Sequence, residues 1–252
     1  MKYTKPQKGN PHQLTIDQHV FPLRSLARFA DKLDDRVAVR RPPSELKELR
    51  VKPDAAFFCA MRVWDHGAES GFMKEIEDKF QAVADQVIAM RQSLADDQHA
   101  IVTDFFALWS ARAHAKANPI ADRPIPGILG KQAQYTPDDQ EILEKNNIGY
   151  INEDLTLPGR MLASGVIRIS IMTYKKQHHA QRWDIVQSPT SEFIVPDQFG
   201  EMAIVPVTPR LCLVAGCGDI QGSEQQVRDQ NRIALAVAQE YIVARSFAAC
   251  PL

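Results

Sequence analysis

The amino-acid sequence predicts an α+β fold: mostly helical, with a small, largely antiparallel sheet formed late in the chain and a long C-terminal helix. Three observations carry this. Phe72, Ile76, Phe80, Val83, Val87, Met90 and Leu94 recur at steps of four and three, the stripe of an amphipathic helix. In the last third, the β-branched runs RWDIVQ, SEFIVP, MAIVPV and RLCLVAG are separated by Pro, Gly and Ser, and read as three or four strands. Ser223-Glu-Gln-Gln226 then makes a capping-box pattern ahead of an apolar-periodic stretch that runs to about Phe247.

The elements follow in order. Residues 1–13 read as a flexible tail and residues 14–252 as a single domain. Leu23, Leu26, Ala27, Phe29 and Ala30 form a short helical face, with His19 just ahead of it. Asp34-Asp35 marks a turn, Val37 to Arg40 a strand, and Arg41-Pro42-Pro43 its end, because proline cannot donate to a ladder. From Asp54 to about Lys116 the chain reads as helical. It starts with an apolar segment (Phe57, Phe58, Ala60, Met61, Trp64) and breaks at Gly67 and Gly71. Ile101, Val102, Phe105, Phe106, Leu108 and Trp109 begin a helix that carries Arg112 and His114 in its last turns. Ala117 to Gly127, with three prolines and a glycine, is a loop. Thr136, Pro137 and Asp139 open another helix by cap, first-turn proline and capping-box acid. Gly159 to Tyr174 reads as a helix whose Ile-rich end fits a strand as well. In the C-terminal helix Val227, Ile233, Ala234, Val237, Ala238, Tyr241 and Ala244 point inward.

The 252 residues are 44% hydrophobic and 24% charged, enough to bury a substantial core. The formal net charge is −1, so a domain devoted to non-specific nucleic-acid binding is disfavoured. The four cysteines form no CxxC and have no ligands at zinc spacing, which points to reduced thiols. The N-terminal stretch MKYTKPQKGNPHQ has no apolar segment of signal-peptide type, and no run approaches the length of a membrane span. A soluble cytoplasmic protein with no membrane contact is expected, with homo-oligomerisation left open. HExxH, Walker A, GxSxG and PD-(D/E)xK patterns are absent; Asp197 is followed by Glu201 but by no lysine two places on. LVAGCGDIQG lacks the strand-to-helix context of a dinucleotide loop.

Several short signatures occur in a fixed order. They are His19-x-x-Pro22-x-x-x-Leu26-x-x-Phe29; the pair Ile76-Glu77 on the long helix; ALWSARAHA with Arg112; the tryptophan strand RWDIVQ followed by FIVPDQF, with Trp183, Phe193 and Asp197; PVTPRLCL; and Asn231-Arg232 with Ala238, Tyr241 and Ile242. In this order they resemble a bacterial family designated domain of unknown function 4238, over roughly His19 to Ser246. The chain departs from that pattern at Ala113-His114, where most members have Thr-Pro, and at Pro196 and Phe199, where the family has Ser and Pro. The family is uncharacterised, so the resemblance implies an architecture and a set of positions but no reaction.

His19, Arg112, Asp197, Asn231 and Arg232 lie at element ends, where sites tend to be built. The expectation is that they converge. His19 would act as general acid or base, and Asp197 would orient it or hold a cation. Arg112 and Arg232 would receive phosphate or carboxylate, and Asn231 would fix the ligand by its amide. This set suits a hydrolase or phosphodiesterase-like enzyme acting on a nucleotide or nucleic acid in a bacterial defence or toxin setting. No serine or cysteine stands beside a base in the motifs. Cofactors stay undetermined and no metal site is expected. The alternative is a non-catalytic interaction protein whose His, Arg, Asp and Asn groups form a structural network. In it His19 bonds a backbone carbonyl, Asp197 caps a turn, Arg112 meets the helix C-terminus, and Arg232 pairs with Asp197 or Glu77. YKKQHHAQR (Tyr174 to Arg182) is a solvated connection or a phosphate contact, and Asp65-His66-Gly-Ala-Glu69 is a weak metal candidate.

Overall fold

A computed structural model describes residues 5–41, 45–90, 92–127, 135–198 and 203–252. Pro42, Pro43, Phe199, Glu201 and Met202, which enter the sequence reading above, lie outside the described residues.

In chain order the elements are β1 (Asp17–His19), α1 (Leu23–Ala27), β2 (Val37–Arg40), β3 (Glu48–Val51), β4 (Cys59–Met61), α2 (His66–Ala68), α3 (Lys74–Met90), α4 (Asp96–Ala117), β5 (Arg123–Pro124), α5 (Pro137–Lys145), β6 (Thr156–Leu157), α6 (Gly159–Gln177), β7 (Trp183–Gln187), β8 (Val195–Pro196), β9 (Ile204–Thr208), β10 (Leu211–Ala215), β11 (Ile220–Gln221), α7 (Glu224–Val237) and β12 (Ile242–Ala244). The fold is a mixed α+β one, and its strand pairs are antiparallel except β11 with β7.

The helical centre is α4. Its buried residues lie all around the helix, so it is a core helix rather than an amphipathic surface one. The helices α3 and α6 pack against it. Phe80 of α3 stacks on Phe105 of α4 with ring centroids 3.6 Å apart. Phe72, Ile76, Phe80, Val83 and Val87 of the predicted stripe face this core, whereas Met90 is exposed; of the two predicted breaks, Gly67 lies within α2, and Gly71, with φ/ψ of −100/−112, lies outside the helical region. Both predicted capping boxes form. Thr136 Oγ1 accepts from the Asp139 amide at 3.2 Å, and Ser223 Oγ from that of Gln226 at 3.3 Å. The helix α6 runs through the Ile-rich end without a strand. Its first amide donates to Asp122 Oδ1 at 2.8 Å, so the proline-rich loop provides the cap. Gly159 is required there, because a Cβ would lie 2.0 Å from the Ile120 carbonyl oxygen.

Three expectations are corrected. The last helix is not long. It ends at Val237, and the chain bends at Gln239–Glu240 before entering β12. Ile242 and Val243 are β-branched and buried between β2 and β8, a place that favours a strand. The sheet is not confined to the end of the chain. One four-stranded sheet has the order β3-β2-β12-β8 and joins the first 51 residues to the last; the other, β11-β7-β10-β9, is late. Residues 54–64 are not helical. Ala56–Phe58 is a single 3₁₀ turn, and Cys59–Met61 pairs with β1. Residues 5–13 also meet α5. The Gln7 amide donates to Glu141 Oε1 at 2.6 Å, and His12 Nε2 lies 2.7 Å from Asp138 Oδ1.

Candidate functional site

His19 ends β1 and is paired in register with Cys59 of β4. Its Nε2 lies 3.2 Å from the Pro53 carbonyl oxygen. A carbonyl only accepts, so Nε2 carries the proton and Nδ1 is bare. The Cys59 Sγ lies 3.5 Å from Nδ1 and donates to it. Burial lowers the imidazole pKa, helped by Arg112 and opposed by the Pro53 bond, Glu69 and Asp17. Burial also pushes the Cys59 thiol up to about 12. The pair is therefore a neutral thiol on a neutral imidazole. A nucleophilic cysteine needs a thiolate near neutral pH, and this environment opposes one. The contact was invisible in the sequence because the two residues are 40 apart and meet only through strand pairing.

Arg112 is 1% exposed. Its guanidinium donates to Glu77 on α3, to Glu69 Oε2 at 2.9 Å, and to the main-chain oxygen of His19 at 3.2 Å. It lies 5.5 Å from the Trp64 ring centre, and the Trp64 indole donates to Glu69 at 2.5 Å. Burial raises the Glu77 carboxyl above its usual range despite the attraction of Arg112. His19 and Arg112 are thus neighbours, but the arginine meets the backbone of the histidine and not its ring. On β1, buried Gln18 clamps the chain leaving β4, accepting from the Val63 amide at 2.7 Å and donating to the Trp64 carbonyl at 2.7 Å.

The other three residues have partners of their own. The Asp197 carboxylate, just after β8, accepts from the amides of Gln239 at 2.9 Å and Glu240 at 2.8 Å. It caps the turn that ends α7 and starts β12. Burial raises its pKa, and those backbone bonds oppose the rise. Asn231 is buried in α7. It accepts from the Ile194 amide at 3.0 Å and donates to the carbonyls of Glu192 at 2.9 Å and Pro251 at 3.0 Å. Arg232 is exposed and makes no ion pair among the described residues, so it meets neither Asp197 nor Glu77. Among the described residues, no hydrogen bond or ion pair joins the side chains of any two of the five. Asp65, His66 and Glu69 do not form a metal cluster, and no group of potential ligands does so among the described residues. Asp65 instead caps α2, and the His66 Nδ1 accepts from the Thr15 amide at 3.1 Å.

The better-formed concavity lies along α6 and contains none of the five. A cavity of about 340 Å³ opens between the α2 turn, the chain after α5 and the first half of α6. Phe72, Ile148, Met161 and Gly165 form its apolar wall, and Ser164 and Arg168 its polar edge. A second cavity of about 250 Å³ continues along α6 and shares Phe72 and Arg168 with the first. Behind the first cavity, Glu144 lies between Arg62 at 2.7 Å and Arg160 at 2.8 Å. Burial disfavours its charge, but the two guanidiniums prevail and hold its carboxyl below the usual range. Arg168 has no carboxylate partner among the described residues. Its guanidinium lies 5.4 Å from the Phe72 ring centre. Nothing in the sequence joined Arg168 to Phe72 or Ile148.

No helix of the described residues is long and apolar enough to cross a membrane. Comparisons with models of protein families, with curated proteins and with solved structures return no match.

Proposed function

We propose that this chain is a non-catalytic binding protein that holds a small organic ligand in the cavity along α6, with its His, Arg, Asp and Asn groups serving as pegs of the fold. The observation that carries this is the contrast between the two places. Asp197 and Asn231 bond backbone groups, and both terminal nitrogens of Arg112 are engaged by half-buried carboxylates and a backbone carbonyl, its Nε alone lacking a partner among the described residues; this is how buried polar groups are ordinarily held. The α6 cavity has an apolar wall, a few polar groups at its edge and a volume within the usual range for ligands, about 300–1,000 Å³. These contacts support binding over hydrolysis of a nucleotide or nucleic acid. The resemblance to the domain of unknown function 4238 belongs to the same proposal and rests on the motifs alone.

The test is a fragment screen by ligand-observed NMR on the wild type and on Gly165→Leu. Gly165 lines the cavity and a Cβ there meets nothing within 4 Å, so the substitution adds bulk at the cavity wall and its Cβ meets no backbone. Hits that vanish in Gly165→Leu, with an unchanged Tm, support the reading. Hits that persist in the variant, or none in the wild type, overturn it.

A further inference from the structure

Resting on the proposed binding role of the α6 cavity, we infer that its ligand is a monocarboxylate with an apolar chain, its head on Arg168 and its body against Phe72, Ile148 and Met161. The charges around the two cavities decide the head group. Glu75 is paired with Lys79 at 2.6 Å, and Asp104 with Lys175 at 2.8 Å. Glu144 is held between Arg62 and Arg160. Asp65 accepts from the Ala68 amide at 2.7 Å, capping α2. Every lysine of the groove thus already has a carboxylate, and Arg168 has none.

Arg168 lies where the two cavities meet, over the Phe72 ring. A guanidinium offers a planar fork that matches a carboxylate, and stacking on an aromatic ring holds the fork in place. A phosphate dianion fits less well. It would have a single uncommitted cation and would face Asp65, Glu75 and Asp104 in the walls, whose repulsion grows with its charge. A cationic head group would meet Arg168 with the wrong sign. The first cavity also carries Asp65, Asn147 and Ser164, but Ala68, Phe72, Ile148, Met161 and the bare backbone at Gly165 give it an apolar wall. That wall takes a hydrocarbon body.

Octanoate and its uncharged isostere octanamide separate the two parts of the reading. Isothermal titration on the wild type, Arg168→Gln and Gly165→Leu is the experiment, with Tm recorded for each. Octanoate binds the wild type, is weakened about tenfold by Arg168→Gln, and is lost in Gly165→Leu. Octanamide binds the wild type and Arg168→Gln alike and is lost in Gly165→Leu. Octanamide binding the wild type as tightly as octanoate, or octanoate indifferent to Arg168→Gln, overturns the carboxylate inference while leaving a cavity that takes apolar molecules. Failure of octanoate to bind the wild type overturns the inference as well. The fragment screen then decides by itself whether the cavity binds anything.

Discussion

Arg112→Met is the sharpest test of the buried network. The substitution keeps the length of the side chain and removes its charge. Glu69 and Glu77 then lose their shared counter-ion, and the His19 carbonyl loses its donor. Removing one partner of a buried ion pair costs about 3–5 kcal/mol. Here the side chains of Glu69 and Glu77 keep 17% and 22% exposure, so water and protonation soften the loss toward the low end, about 3 kcal/mol. For a chain of this length that lowers Tm by roughly 6–12 °C. The pH dependence adds a signature. Burial already raises Glu77, so the folded state binds a proton more readily than the unfolded one, and stability falls as pH rises through the raised pKa. Without Arg112 the rise is larger, and the deficit of the variant is greater at pH 7 than at pH 5. Glu77→Gln in the Arg112→Met background recovers about 1–2 kcal/mol, the coupling that a double-mutant cycle measures. Urea midpoints and thermal melts at the two pH values are the assay. A melt within about 2 °C of wild type at pH 7, or a deficit independent of pH, refutes the network.

Asn231→Ala strands the Ile194 amide and the Glu192 carbonyl, both buried, and is expected to cost about 3 kcal/mol by urea unfolding; a shift below about 1 kcal/mol would return Asn231 to the list of ligand contacts. His99 Nδ1 accepts from the Trp183 amide at 3.0 Å, and burial lowers its pKa. The unfolded chain therefore takes up the proton first. Stability is full above the ordinary histidine pKa of about 6.5 and is lost as pH falls toward the lowered one. His99→Gln should shrink this acid-side loss, and an unchanged pH profile would refute the assignment. Of the four thiols only Cys217 is exposed. Iodoacetamide at pH 7 should modify the native protein at Cys217, with Cys59, Cys212 and Cys250 reacting after denaturation; rapid alkylation of Cys59 would restore a Cys–His nucleophile to consideration. Gly165→Ala lies inside a helix with open space at its Cβ and should stabilise by roughly 0.5–1 kcal/mol, checked by Tm.

The helices were legible because their signals are local. The α3 stripe, the Gly71 break and the Thr136 and Ser223 capping boxes each act within a few residues. Strand pairing is not local, and the errors fall there. Tyr241 and Ala244 continue the inward spacing of α7, but their neighbours Ile242 and Val243 also fit a buried strand. What decides is the slot between β2 and β8, and β2 lies about 200 residues away from β12 in sequence. The same holds for Cys59–Met61. Its apolar residues fit a helix until β1 offers a ladder, and Arg62, at φ +50°, then ends the strand. Asp197 belongs to the first case, since its carboxylate takes the two amides freed where α7 stops.

The candidate site was harder to read for a related reason. A polar residue at an element end looks the same in sequence whether it faces a ligand or the backbone of the next element. His19, Asp197 and Asn231 were singled out for that position, and each bonds main-chain groups of a segment distant in sequence. The motif anchors around them, Leu26, Phe29, Trp183, Phe193 and Tyr241, are all buried. Signatures of this kind record where the chain must be fastened, so their order along the sequence is the order of the fold. A binding surface is read from what is left unfastened. On α6 that is Arg168 without a carboxylate, Gly165 without a neighbour, and Val166, Ile169 and Met172 at 46%, 65% and 63% exposure. None of these belongs to a motif, and together they mark a long helix with apolar residues left on its surface.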